Sequence, residues 1–223
     1  MHHPSPPFDA PAARRLRLGL GMAPDHVAYG LRAQYGLLVG PETVAAWERG
    51  TLAPSERELT ALAGVLWCSP ADLIAVASTL REHRMAHGLS VEELARLVGV
   101  AAHAYRRMED EGRWRGTERQ TAALAEVLGL GPRALITATG GDERLAELLR
   151  DAVTTRWQAY VKPVARMLPV SRRVVEPVLA RMHAEYHARM AATSSWGASG
   201  STGDEGRAYL DSVNDHFWAA VEP

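Results

Sequence analysis

Thr43-Val44-Ala45-Ala46-Trp47-Glu48-Arg49-Gly50 and Ala104-Tyr105-Arg106-Arg107-Met108-Glu109-Asp110-Glu111-Gly112 carry one pattern twice, each ahead of an apolar helical run. Upstream of each stands an Arg four residues before a Gly: Arg17 before Gly21, and Arg84 before Gly88. Downstream, Leu59-Thr60-Ala61-Leu62-Ala63-Gly64-Val65-Leu66 is echoed by Thr121-Ala122-Ala123-Leu124-Ala125-Glu126-Val127-Leu128, and Pro70-Ala71-Asp72-Leu73-Ile74 by Pro132-Arg133-Ala134-Leu135-Ile136. The offset is 67 between the glycines, 61 between Glu48 and Glu109, and 62 between Glu58 and Gln120. Short insertions account for the differences, so this part of the chain reads as two related helical modules of roughly sixty residues.

Local signals fill in each copy. In Gly88-Leu89-Ser90-Val91-Glu92-Glu93-Leu94-Ala95, Ser90 is a helix N-cap and Glu93 closes a capping box. Gly99-Val100 makes a turn, and the next helix starts near Ala101. In the first copy Pro24 suits a first helical turn, where its missing N–H has no partner anyway. About six extra residues lie between Leu31 and Val39.

From Ala12 to Ile136 these landmarks resemble a tandem pair of phage repressor and Cro-type helix-turn-helix domains, the xenobiotic-response-element class. The resemblance implies that Arg17 braces Glu48 and Arg84 braces Glu109 within the fold, as fork-shaped guanidinium–carboxylate pairs. It implies a second recognition helix presenting Ala102, His103 and Arg107 to the major groove with Arg106 beside them, and a following loop whose Arg113 and Arg115 clamp phosphate. The corresponding surface of the first copy is Pro41, Glu42, Thr43 and Ala46, poor in donors, so the second module is expected to dominate affinity. Pro24 and Val91 replace the polar residue that usually opens the second helix, removing one phosphate contact.

Composition sets the outer bounds. The chain has 223 residues, 25 basic and 26 acidic, for a net charge of −1 at pH 7. That near balance argues against an indiscriminate nucleic-acid coat. One cysteine, Cys68, excludes an internal disulfide framework and fits a reducing cytoplasm. Met1 to Pro7 lacks the apolar core of a secretory signal and reads as a tail extending to residue 11. The most apolar run, Leu59 to Leu80, is broken by Pro70 and Asp72 and is domain core, so no membrane association is expected.

Beyond Gly140-Gly141 the helical pattern resumes at Asp142, and a stripe from Leu145 through Leu149, Val153 and Trp157 to Val161 marks one amphipathic helix. A second runs from about Ser171 to Met190, with Pro177 delaying or kinking it; a small-residue connector at 193–203 precedes a third from about Asp204. Such wide stripes need a partner surface: the three helices form a small domain, dock on the repeats or pair with another copy of the chain, and a homodimer through them is the expectation. His183 with His187, and His83 with His87, sit four apart, but no third ligand accompanies either pair, so no metal is assigned. Neither a phosphate loop nor a nucleophile elbow is present; no catalytic residue and no cofactor follow.

The sequence reading is therefore an all-α, cytoplasmic bacterial protein with two tandem repressor-like helix-turn-helix domains at 12–77 and 78–138 and a three-helix C-terminal region at 142–223. Its expected function is sequence-specific transcription regulation on double-stranded DNA. The alternative is a protein-interaction adaptor that reuses the helix-turn-helix scaffold.

Overall fold

The computed structural model describes residues 7–194 and 202–221, and these are all-α: fourteen α-helices, two 3-10 turns and one isolated antiparallel bridge between Phe8 and Ile74. The chain divides into two compact units, Met1–Gly112 and Arg113–Pro223. The division falls at Gly112, inside the stretch expected as the second module. On its far side Ile136 joins the apolar core built by the C-terminal helices, so this part of the module shares a core with them.

In the first unit, α1 (Ala10–Gly19), α2 (Pro24–Tyr35), α3 (Pro41–Glu48) and α4 (Glu56–Val65) close around Leu31, Val44, Trp47, Leu59 and Leu62, all nearly inaccessible to water. Burial of side chains this size contributes about 1.5–3 kcal/mol each, before the entropy of ordering them. The extra residues before Val39 now have a place. α2 is a turn and more longer than its counterpart α6, and Gly36, in the left-handed conformation at φ +65°, ends it with Leu37 donating back to the Leu31 carbonyl. Part of the expected tail is engaged: Asp9 caps α1 through the Ala12 N–H at 2.8 Å, and the Asp9 N–H donates to the Leu73 carbonyl at 2.8 Å.

The same unit continues through α5 (Leu80–Ala86), α6 (Val91–Val98) and α7 (Ala102–Glu111). Met85 of α5 enters the apolar cluster of the first repeat copy, and α5 packs on the 3-10 turn Pro70–Leu73. The short connector Ala75 to Thr79 is thus supplemented by direct contact.

The second unit comprises α8 (Glu118–Val127), α9 (Pro132–Ala138), α10 (Asp142–Thr154), α11 (Val161–Met167), α12 (Arg172–Ser194), α13 (Thr202–Asp211) and α14 (Val213–Val221). The expected three-helix C-terminal region is more finely divided. The stripe from Leu145 to Val161 does not lie on one helix: α10 stops at Thr154, a 3-10 turn covers Trp157–Ala159, and α11 begins at Val161. Thr155, outside helical geometry at φ −128° and ψ −120°, bonds the Asp151 carbonyl through its hydroxyl at 2.5 Å, while its own carbonyl meets His183 Nε2 at 3.0 Å. Side-chain bonds of this kind compete with the helix ladder. Pro177 lies inside α12, close to its start. The connector expected before the last helices falls outside the described residues at 195–201, and those helices are two, α13 and α14. The stripes meet each other: Leu145, Leu149, Val164, Val175, Leu179 and Phe217 share one buried cluster.

Candidate nucleic-acid interface

α6, a turn and α7 form the relevant local unit. Ser90 accepts from the Glu93 N–H at 3.2 Å while the Glu93 carboxylate accepts from the Ser90 N–H at 2.8 Å, so the capping box read from sequence is formed. The Ser90 N–H and the Ser90 hydroxyl, the latter at 2.7 Å, both donate to the Glu93 carboxylate and hold it below its ordinary range. Gly99, at φ +77°, stops α6, and the Val100 N–H turns back to the Ala95 carbonyl at 2.9 Å. A side chain at that left-handed position is strained, which is why the turn requires glycine there.

α7 then divides by face. Tyr105, Met108 and Glu109 are buried, whereas His103, Arg106 and Arg107 are exposed. Residues three and four apart are neighbours on a helix, so these three side chains share one outward face. Ala102, half-buried, opens the helix, and Ala101 before it supplies no side-chain cap to the first N–H groups. Arg106 reaches Glu92 of α6 at 3.0 Å, with both side chains mostly in water. An exposed pair of this kind contributes at most about 1 kcal/mol and exchanges readily for a phosphate. Arg107 has no ion-pair partner among the described residues.

The helix is held by a buried network. Arg84 of α5, 1% exposed, donates through Nε and Nη2 to Glu109 at 2.7 and 3.1 Å, and through Nη1 to the Leu89 carbonyl at 2.8 Å. Burial disfavours its charge, yet the bonds to Glu109 and Glu56 more than offset that and raise its pKa. Arg17 repeats the arrangement, donating to Glu48 at 2.5 and 2.7 Å and to the Met22 carbonyl at 2.6 Å. Its hydrogen bond to Glu48 likewise raises its pKa against some burial. Beside Glu109, burial chiefly pushes the Tyr105 phenol far up, so it stays neutral.

One member of this network was not legible in the sequence. Glu56, at the start of α4, takes Arg84 Nη1 at 2.7 Å and Nη2 at 3.3 Å, tying the first repeat copy to the second. Nothing local marks it: the repeat counterpart, Glu118, pairs with Arg166 instead, at 2.7 Å. Arg81, which bonds Asp110 at 2.5 Å and lies 3.5 Å from Glu109, was also unforeseen.

The corresponding face of α3 differs. Glu42 is exposed, with its carboxylate folded back over Gly40, and Thr43 is half-buried. Ala46, expected on this surface, is buried at 8% exposure, and its carbonyl accepts from the Thr51 hydroxyl at 3.0 Å. Arg113 and Arg115 are exposed and belong to the second unit, Arg106 and Arg107 to the first.

A family model described as a helix-turn-helix domain matches residues 75–138, less than a third of the chain, and includes α5 through α9. No curated protein and no solved structure matches. No helix among the described residues is long and apolar enough to cross a membrane. The chain thus contains a helix-turn-helix domain, and the match supports a DNA-binding role.

Proposed function

We propose that this protein is a sequence-specific DNA-binding transcriptional regulator of the repressor and Cro type, with α7 as its principal recognition helix. The observation that carries this reading is the exposed His103, Arg106 and Arg107 face on a helix that follows a glycine turn within the matched domain. An exposed Arg can grip guanine O6 and N7, and a His can donate to an acceptor edge. In this reading residues 12–77 form a second domain of the same type whose α3 face, with Glu42 and Thr43 and no cation before Arg49, adds little affinity. Arg113 and Arg115 serve as phosphate contacts.

Selection from random duplexes with the full-length protein, followed by titration at several salt concentrations, tests the proposal. An enriched motif and a steep salt dependence support it; weak binding without a motif, even at low salt, removes it. The adaptor reading then takes its place, favoured by the large apolar side chains the first repeat copy leaves in water: Tyr29 at 73%, Leu38 at 87% and Trp67 at 86% exposure. A homodimer through the C-terminal helices, if formed, uses outer faces such as that of Val174, because the apolar stripes are consumed within the unit's own core. Sedimentation at high concentration decides it, and a monomer eliminates it.

A further inference from the structure

The second unit contains a cavity of about 690 Å³, within the general size range of small-molecule sites. Five cations line it, Arg113, Arg144, Lys162, Arg166 and Arg172, against a single acid, Glu118. In a chain of net charge −1 that is a strong local excess. Glu118 is engaged by Arg166 at 2.7 Å, and Arg144 reaches Glu147 at 2.7 Å. Among the described residues, Arg113, Lys162 and Arg172 have no carboxylate partner. The two acids that open α10 beside the cavity are also occupied: Asp142 accepts from the Thr137 hydroxyl at 3.3 Å, and Glu143 pairs with Arg150 at 2.9 Å. Cations gathered this way repel one another, and an anion among them relieves that repulsion.

A fixed aromatic wall stands in the same cavity. The Trp114 indole N–H donates to the Thr121 hydroxyl at 2.8 Å, and its backbone N–H donates to the Thr139 carbonyl at 3.1 Å. The ring lies over Gly116 so closely that a Cβ there would sit 2.3 Å from Cζ2. Leu135, Ile136, Met167 and Val170 supply apolar surface. Cations alone describe a solvated basic face; cations around a partly open apolar cleft with an anchored indole describe a site for a molecule that is both charged and flat.

We propose that this cavity binds a small organic polyanion with a planar ring, of the nucleotide class, its phosphates meeting Arg113, Lys162 and Arg172 and its ring lying against Trp114. The site shares Arg113 with the DNA reading but does not rest on it, and ligand binding is measured without DNA. Calorimetric titration of the full chain uses ATP and inorganic pyrophosphate as probes. The expected result is saturable one-to-one binding of ATP, with pyrophosphate weaker because it lacks the ring. Lys162→Ala with Arg172→Ala, both at exposed positions, weakens ATP on the order of tenfold or more. Trp114→Leu abolishes the preference of ATP over pyrophosphate. Absence of saturable binding at millimolar probe, or ATP binding unchanged in the double variant, overturns the proposal. So does loss of DNA affinity in the double variant when the parent binds no ATP, which assigns these cations to DNA phosphates.

Discussion

Replacing Arg84 by Met tests what holds α7 in place. Arg84 is 1% exposed and the side chain of its partner Glu109 is equally buried, so the variant strands a charge in the interior with Arg81 Nε, at 3.5 Å, as the nearest remaining cation. Removing one member of a buried pair costs about 3–5 kcal/mol, and the Leu89 carbonyl loses a donor worth about 1 kcal/mol. The residual attraction of Arg81 pulls the other way, so the net expectation is about 4 kcal/mol. With a urea dependence of about 2–3 kcal/mol per molar, the unfolding midpoint followed by circular dichroism falls by about 1.3–2 M. Adding Glu109→Leu removes the stranded charge and recovers most of the loss, because an apolar pair of similar volume is often as stable as the ion pair. Glu56→Gln, at a side chain 48% exposed, costs less than about 1 kcal/mol. A loss below about 1 kcal/mol for Arg84→Met, or a double variant no more stable than the single, refutes the reasoning.

Three further outcomes are expected. Trp67 sits at φ +54° where its repeat counterpart is Gly129 at φ +58°, and it is 86% exposed; Trp67→Gly therefore stabilises by about 1 kcal/mol in thermal melts, and a lower melting temperature contradicts the strain argument. His83 titrates below its ordinary value, chiefly through burial and then through His87, so the unfolded chain binds more protons in the window just below pH 6.5. Stability accordingly falls as pH drops from 7 through that window, and His83→Gln shows a shallower fall; an identical slope argues against it. On the operator found by selection, Arg107→Ala loses about 1–3 kcal/mol of discrimination at one base position, whereas equal losses on all sequences make Arg107 a phosphate contact.

The repeat made the helices of the first 138 residues readable because it constrains each copy by the other: the Arg–Glu braces, the Ser90 cap and the Gly99 turn are all local or doubly marked in sequence. Long-range choices were not. Glu56 and Glu118 look alike, yet one completes the Arg84 network and the other meets Arg166, because partner choice depends on which element lies opposite. Periodicity likewise carried the stripe from Leu145 to Val161 across a real break, since two short helices in register on one core bury the same residues as one long helix. The exposed face of α7 was visible as a pattern, but the burial of Ala46 on α3 was not, a single small residue being compatible with either environment.

These differences bear on how two similar modules divide their labour. The brace in the first copy, Arg17 with Glu48, stays within that copy, whereas Arg84 in the second also takes Glu56 from the first. Met85, the next residue along α5, enters the first copy's apolar cluster. The first copy therefore supports the helix pair that carries His103, Arg106 and Arg107, while its own α3 shows Glu42 in the equivalent place. A carboxylate there repels phosphate, but it does no harm to a scaffold. If support is the first copy's main role, Glu42→Ala leaves DNA affinity nearly unchanged, and Leu59→Ala, which opens a core cavity costing about 2–5 kcal/mol, weakens DNA binding through stability alone. Folded Leu59→Ala protein, held below its melting temperature, should then read the same motif as the parent; a changed motif would mean that α3 itself contacts bases.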